Sequence, residues 1–296
     1  MNRTMLAALA LAAGQPAGTS PGQLADAERA LRDGADATEA APGADAAPPT
    51  GIDPAGSGSS AVTSEVVSIP GAGSGRTLPS TIYTPAGDGP FPLVVISPGF
   101  QLSRTQYASY AEHLASWGFV AVLTDYADQS LFADHQLLAD DIPAVIDYML
   151  AHASIDGGKI ALAGHSLGGD VSMLAALEEP RVQTVIGWDP VDGTPAALPM
   201  MGSFARSLAV IGETTDGSGG FMPCAPTADN FQQFYAAAPA PALEMTLAGA
   251  DHMSWVDDPS CAVCSLCTAG TAPPSLAHAA TRRLDVAWLK LRFDGK

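Results

Sequence analysis

Basic side chains are scarce in this chain of 296 residues, with 13 Lys and Arg against 31 Asp and Glu and a formal net charge of −18. A polyanion is repelled by such a surface, so nucleic acid is not an expected partner. Beyond the extreme N-terminus no apolar run reaches the roughly 18 residues that cross a bilayer, and stable membrane insertion is not expected either. From Gly14 to Ser60 large apolar residues are almost missing, as in APGADAAPPTGIDPAGSGSS. Such a segment cannot bury enough surface to fold, and residues 14–60 are expected to form a flexible spacer. Cysteine is absent until Cys224, then occurs at Cys261, Cys264 and Cys267.

What is present begins with MNRTMLAALALAA, a positive Arg3 followed by a short apolar stretch of small residues and Leu. This is the form of a secretory signal over residues 1–13, with Ala10-Leu11-Ala12 as a small-x-small cleavage motif and Ala17 as another endpoint. A secreted or periplasmic location follows as the expectation. In an exported chain four cysteines read first as two disulfides, with three possible connectivities. A Cys₄ metal site is the competing reading, disfavoured because paired CxxC knuckles are missing.

Residues 61–296 are expected to form one catalytic domain, since strand-like and helix-like segments alternate throughout. Strands are predicted at Val62–Ile69, Thr77–Tyr83, Leu93–Ile96, Phe119–Leu123, Lys159–Ala163, Val185–Trp188, Leu208–Ile211 and Leu243–Leu247. The run Leu93-Val94-Val95-Ile96 reads as a strand buried on both faces. Apolar residues at helical spacing mark a helix from Tyr107 to Trp117 and another through Leu138 to Met149, where Pro143 either kinks it or opens it. A helix is also expected from Ser166 to Leu177. The last, about Ser275 to Phe293, is expected to bury Leu276, Ala280, Leu284, Ala287, Trp288 and Leu291. The fold class is α/β, with a doubly wound, mainly parallel sheet.

Gly164-His165-Ser166-Leu167-Gly168 is G-x-S-x-G between a predicted strand and a predicted helix. That context makes it a nucleophile elbow, in which a tight turn lifts the serine hydroxyl off the sheet at a helix N-terminus. A serine hydroxyl needs a base, normally a histidine oriented by a carboxylate. Only His252 and His278 follow Ser166. His278 lies within the last predicted helix and reads as a solvated residue, whereas His252 sits in a loop directly after the last strand and is the expected base. Asp189, Asp192, Glu213 and Asp216 all follow late strands, and spacing does not choose among them as the acid; Asp251 is disfavoured as the neighbour of His252. The oxyanion donors are expected to be the amides of Leu167, after the nucleophile, and of Phe100, in the loop after the third strand where Pro98 cannot donate. Phe100, Trp188, Phe221, Met222 and Trp255 are candidates to line an apolar substrate pocket.

The chain resembles the α/β-hydrolase superfamily and, more narrowly, the chlorophyllase family. The resemblance covers about Pro90 to Asp258 and rests on SPGFQLSRTQYASYAEHLASWGFVAV, GHSLGG, IGWDPVDG, CAPTADNFQQFY and ADHMSWVDD. It implies that the first Asp of the DPV segment, Asp189, is the triad acid, with Asp216 in reserve. The type II platelet-activating-factor acetylhydrolases look similar in placing their acid just after the same strand, and bacterial polyester hydrolases use elbows of this type. Plant chlorophyllases carry a basic residue where this chain has Leu167, so the resemblance implies ester hydrolysis without implying chlorophyll as substrate. The expectation is a serine esterase acting through an acyl-enzyme on a small or polymeric ester, with no metal or organic cofactor. Alternatives are polyester or lipid hydrolysis or acyl transfer on the same residues, and a silent hydrolase fold used for binding.

Overall fold

The computed structural model describes residues 53–72, 76–128, 130, 133–217, 223–261 and 264–295. The expected signal segment, and the spacer as far as residue 52, lie outside them. Eight strands form one sheet: β1 (Val62–Pro70), β2 (Thr77–Pro85), β3 (Phe91–Ser97), β4 (Val120–Thr124), β5 (Ile155–His165), β6 (Val182–Trp188), β7 (Ser207–Glu213) and β8 (Ala242–Leu247). Their order is β1-β2-β4-β3-β5-β6-β7-β8, with β1 and β2 antiparallel to their neighbours and the rest parallel. The helices are α1 (Ala108–Ser116), α2 (His135–Ala139), α3 (Ile142–His152), α4 (Leu167–Glu178), α5 (Phe231–Ala237) and α6 (Pro274–Asp294). This is the α/β-hydrolase fold.

Alternation within the strands explains why the sheet is covered on both sides. Leu93 and Val95 enter one core layer with Ile160, Leu162 and Val171. Val94 and Ile96 enter the other with Ala161, Ala163 and Trp188. A strand whose every residue is apolar has no solvent face, so helices pack on both sides. From β3 the chain runs outward to β4 and then returns across it to β5. The strand order therefore reverses between β3 and β5, and their carboxyl ends open the crevice where ligands of open α/β sheets bind.

Three expectations about local structure are corrected. The helix predicted through Leu138 to Met149 is two, α2 and α3, and Pro143 lies in the first turn of α3, where its missing N–H costs nothing. Ser166 is not helical: α4 begins at Leu167. On α6 the buried face is Ala277, Thr281, Leu284, Asp285, Trp288 and Leu289, while Leu276 and Leu291 are exposed. The buried stripe contains two polar residues because tryptophans need acceptors. Trp188 Nε1 donates to Asp285 Oδ1 at 3.1 Å and Trp255 Nε1 to Thr281 Oγ1 at 2.9 Å. An apolar-only pattern therefore rotated the helix. His278, expected to be solvated, is half-buried against Tyr110 with its Nε2 3.3 Å from the Val256 carbonyl.

The spacer boundary also shifts, since residues 53–60 dock on α1. Gly58 N–H donates to Ser116 Oγ at 2.8 Å, His113 Nε2 to the Pro54 carbonyl at 2.9 Å and Trp117 Nε1 to the Gly56 carbonyl at 2.9 Å. Polar backbone thus supplies the contacts that the scarcity of apolar residues seemed to forbid. Differential scanning calorimetry should find that a chain beginning at Ala61 melts about 4 to 8 °C below one beginning at Asp53, at about 1 kcal/mol per net hydrogen bond. Equal melting temperatures would show that these contacts contribute nothing.

Candidate active site

The end of β5 delivers Ser166 at φ 55° and ψ −123°, a left-handed backbone between the strand and α4. The flanking glycines are required by close approach: a Cβ at Gly164 would lie 2.2 Å from the Gly168 carbonyl oxygen, and one at Gly168 would lie 2.1 Å from that of Ser97. The Ser166 amide is held by the Trp188 carbonyl at 3.1 Å, which ties the turn to the end of β6. The hydroxyl is thereby presented at the carboxyl edge of the sheet, 8% exposed.

His252 opens a short 3-10 turn over His252–Trp255 that Asp251 caps, its Oδ1 accepting from Met253 N–H at 3.0 Å. His252 Nε2 lies 2.8 Å from Ser166 Oγ, and its Nδ1 lies 2.6 Å from Asp189 Oδ2. Asp189 leaves β6 with φ 44° and its amide donates to the Ile211 carbonyl at 2.6 Å, so the side chain is aimed by a strained, tethered backbone and is fully buried. The carboxylate can hold the ring as the Nδ1–H tautomer, leaving Nε2 free to take the serine proton.

The other carboxylates that spacing left open have different partners. Asp216 Oδ2 accepts from the His252 backbone N–H at 3.1 Å and its Oδ1 from Thr268 N–H at 2.7 Å. It holds the histidine by the main chain, not by the ring. Glu213 accepts from the amides of Thr215 and Asp216, and Asp192 from those of Ala197 and Leu198. Burial opposes a charged imidazole at His252, but Asp189, Asp216 and Glu213 outweigh it and raise the pKa above the ordinary 6.5. Burial, joined by the Asp189 charge, pushes the Glu213 carboxyl up to about 7.

The four cysteines form two disulfides, Cys224–Cys267 and Cys261–Cys264. The first joins the two long loops after β7 and β8 and brings Thr268 to Asp216, and so bears on His252. Among the described residues no cluster of His, Cys, Asp or Glu is arranged to hold a metal ion. Leu167 is the first residue of α4, where an amide has no intrahelical acceptor. Phe100 occupies the turn after β3 and is 39% exposed; both residues line one small cleft with Gln101, Leu102 and Tyr126. Trp188 and Trp255 do not line a pocket: both are completely buried core residues. Phe221 and Met222 lie outside the described residues. A cavity of about 280 Å³ opens at the opposite ends of the strands, lined by Glu65, Phe91, Tyr148 and His152, and touches none of the residues around Ser166.

The family model of chlorophyllase matches residues 56–296, nearly all of the described fold. The chain belongs to the chlorophyllase family. Among the similar proteins is chlorophyllase-2 of Arabidopsis thaliana, 28% identical over 204 residues, which is 60% of this chain and 64% of that one. The bis(hydroxyethyl) terephthalate hydrolase of Streptomyces coelicolor is 29% identical over 225 residues, 72% of this chain and 62% of that one. The cutinase est2 of Thermobifida alba is 32% identical over 116 residues, 37% of this chain and 38% of that one. The chain spans less than two thirds of the length of each of these relatives. This chlorophyllase-family member has Leu167 after its elbow serine, so the environment of Ser166 Oγ is apolar on that side.

Two residues of the site lie outside the sequence reading. Tyr107 was legible only as part of an apolar helix stripe, and His165 only as the variable position of the elbow. Their adjacency depends on β5 and the turn before α1 meeting in space.

Proposed function

We propose that the chain is an exported serine esterase that hydrolyses carboxylic esters through an acyl-enzyme. Ser166 Oγ attacks the ester carbonyl while His252 Nε2 takes its proton, and Asp189 stabilises the imidazolium that forms. The amides of Phe100 and Leu167 receive the developing oxyanion. The protonated His252 gives its proton to the leaving alcohol. Water, activated by the same histidine, then releases the acid and restores Ser166. The single observation that carries this reading is the pair of hydrogen bonds joining Asp189, His252 and Ser166 at 2.6 and 2.8 Å.

For the substrate, the relatives named as terephthalate hydrolase and cutinases favour aryl or polymeric esters. Two disulfides suit an oxidising compartment, which supports export. Residues 14–52 are proposed as a spacer and the rest of the mature chain as the catalytic domain. A fluorophosphonate probe should label Ser166 stoichiometrically, and a panel of p-nitrophenyl esters beside a polyester film and chlorophyll should rank the substrates. Absence of labelling in the folded protein would favour a silent binding module instead.

The charge around His252 sets a pH profile. The base must be neutral, so kcat/KM should rise with pH through a midpoint above 6.5, the value of an unperturbed histidine. Asp189→Asn removes the hydrogen bond and charge that raise it and should move the midpoint of any residual activity downward. A midpoint below 6.5 in the unmodified enzyme contradicts this electrostatic account.

A further inference from the structure

The loop that carries Phe100 and the backbone of His252 are joined by two buried side chains that the mechanism above does not use. Gly99 N–H donates to the Tyr107 hydroxyl oxygen at 3.1 Å. That hydroxyl lies 2.8 Å from His165 Nδ1, and His165 Nε2 lies 2.8 Å from the His252 carbonyl oxygen. Tyr107 and His165 are both completely buried, and the His165 ring packs 4.8 Å from that of His252. No spare room surrounds the junction, since a Cβ at Gly99 would meet His165 Nδ1 at 2.9 Å and the Tyr107 hydroxyl at 3.1 Å.

The two ends of this series dictate where its protons sit. A backbone N–H can only donate and a backbone carbonyl can only accept. With Gly99 donating into the Tyr107 oxygen, the phenolic O–H points to His165 Nδ1, which must be bare. The His165 proton then sits on Nε2 and points to the His252 carbonyl. Every group is satisfied in this one arrangement, with a neutral imidazole. Burial holds the His165 pKa well below that of an ordinary histidine, in agreement with it.

We propose that Tyr107 and His165 are positioning residues, a polarised hydrogen-bond chain that locks the oxyanion loop at Gly99 to the main chain of the general base at His252. The proposal rests on the Ser166, His252 and Asp189 reading. It assigns the chain a task that geometry makes necessary: the Phe100 amide and the His252 ring approach the same carbonyl from two separate loops, and nothing in either loop alone sets their separation. Asp216 fixes the amide side of His252 and His165 its carbonyl side, so the peptide is gripped at both faces of one residue.

The test uses the full chain with Tyr107→Phe, which keeps the ring and removes the hydroxyl. A misplacement of about 1 Å can cost about a hundredfold in rate, so kcat on p-nitrophenyl butyrate should fall roughly 10- to 100-fold with KM changed less than about twofold. Fluorophosphonate should titrate the same number of Ser166 sites as in the unmodified enzyme, but more slowly. Imidazole ¹⁵N spectra of the unmodified enzyme should show His165 as the Nε2–H tautomer, uncharged where ordinary histidines titrate. Unchanged kcat in Tyr107→Phe overturns the proposal, as does a fall matched by lost titratable sites. If Ser166 in the unmodified enzyme is not labelled at all, it is the esterase reading that fails. The tautomer then decides alone: Nε2–H on His165 retains the chain, and Nδ1–H overturns it.

Discussion

Ser166→Ala is expected to abolish esterase activity and leave the fold intact. Loss of a nucleophile of this kind costs on the order of 10⁴ to 10⁶ in kcat, because the remaining oxyanion donors have no attacking atom to assist. The fold should survive because the hydroxyl makes its contact with His252 Nε2, at 2.8 Å, and not with a core group. The left-handed backbone at Ser166 is as costly for alanine as for serine, and the amide keeps its bond to the Trp188 carbonyl. The melting temperature should therefore move by no more than a few degrees, and the fluorophosphonate signal should vanish. A folded variant that keeps more than about a tenth of the activity would remove Ser166 from the mechanism. The same pair of measurements separates an enzyme from a hydrolase fold that only binds, since a binding protein would show no labelling before the substitution either.

Asp189→Asn is expected to lower kcat by about 10⁴, by analogy with the loss when a triad aspartate becomes asparagine. Asp189 sits 2.6 Å from His252 Nδ1, where a carboxylate can only accept. An amide can turn its NH₂ toward Nδ1, which places the imidazole proton on Nε2, facing Ser166, and leaves no base. It also removes the negative charge that stabilises the imidazolium. The controls are the carboxylates that hold main chain. Asp192→Asn leaves an oxygen for the Ala197 and Leu198 amides, and Asp216→Asn leaves one for either the His252 or the Thr268 amide. Each should cost roughly tenfold or less, since net losses of about 1 kcal/mol per hydrogen bond translate into factors of that order. A larger loss in Asp216→Asn than in Asp189→Asn would exchange their roles.

The same carboxylates bear on how much of the site could be read in advance. Asp189, Asp192, Glu213 and Asp216 all follow a strand end, and spacing alone left them equivalent. Resemblance to the family favoured Asp189, and the structure places its carboxylate on the ring while the other three cap backbone amides. Phe100 and Leu167 were nameable from the turn after β3 and the start of α4, since both positions follow directly from where a strand ends. Trp188 and Trp255 were misread as pocket candidates, because a tryptophan at a strand or turn end carries no local mark of which way it faces.

What the sequence determined by itself was the content of the sheet, the elbow at Ser166 and the choice of His252 over His278. These are local properties. Apolar runs such as Leu93 to Ile96, glycines around a serine, and chain order after the nucleophile are all read within a few residues. Only the tertiary structure decided the rest: the face that α6 buries, the docking of residues 53–60, the cysteine pairing, and the chain through Tyr107 and His165. Each depends on a buried polar or sulfur atom finding a partner far away in sequence, 97 residues from Trp188 to Asp285 and 87 from His165 to His252. Burial makes such partners obligatory, but which distant group supplies them is settled by the path of the whole chain and leaves no local signature.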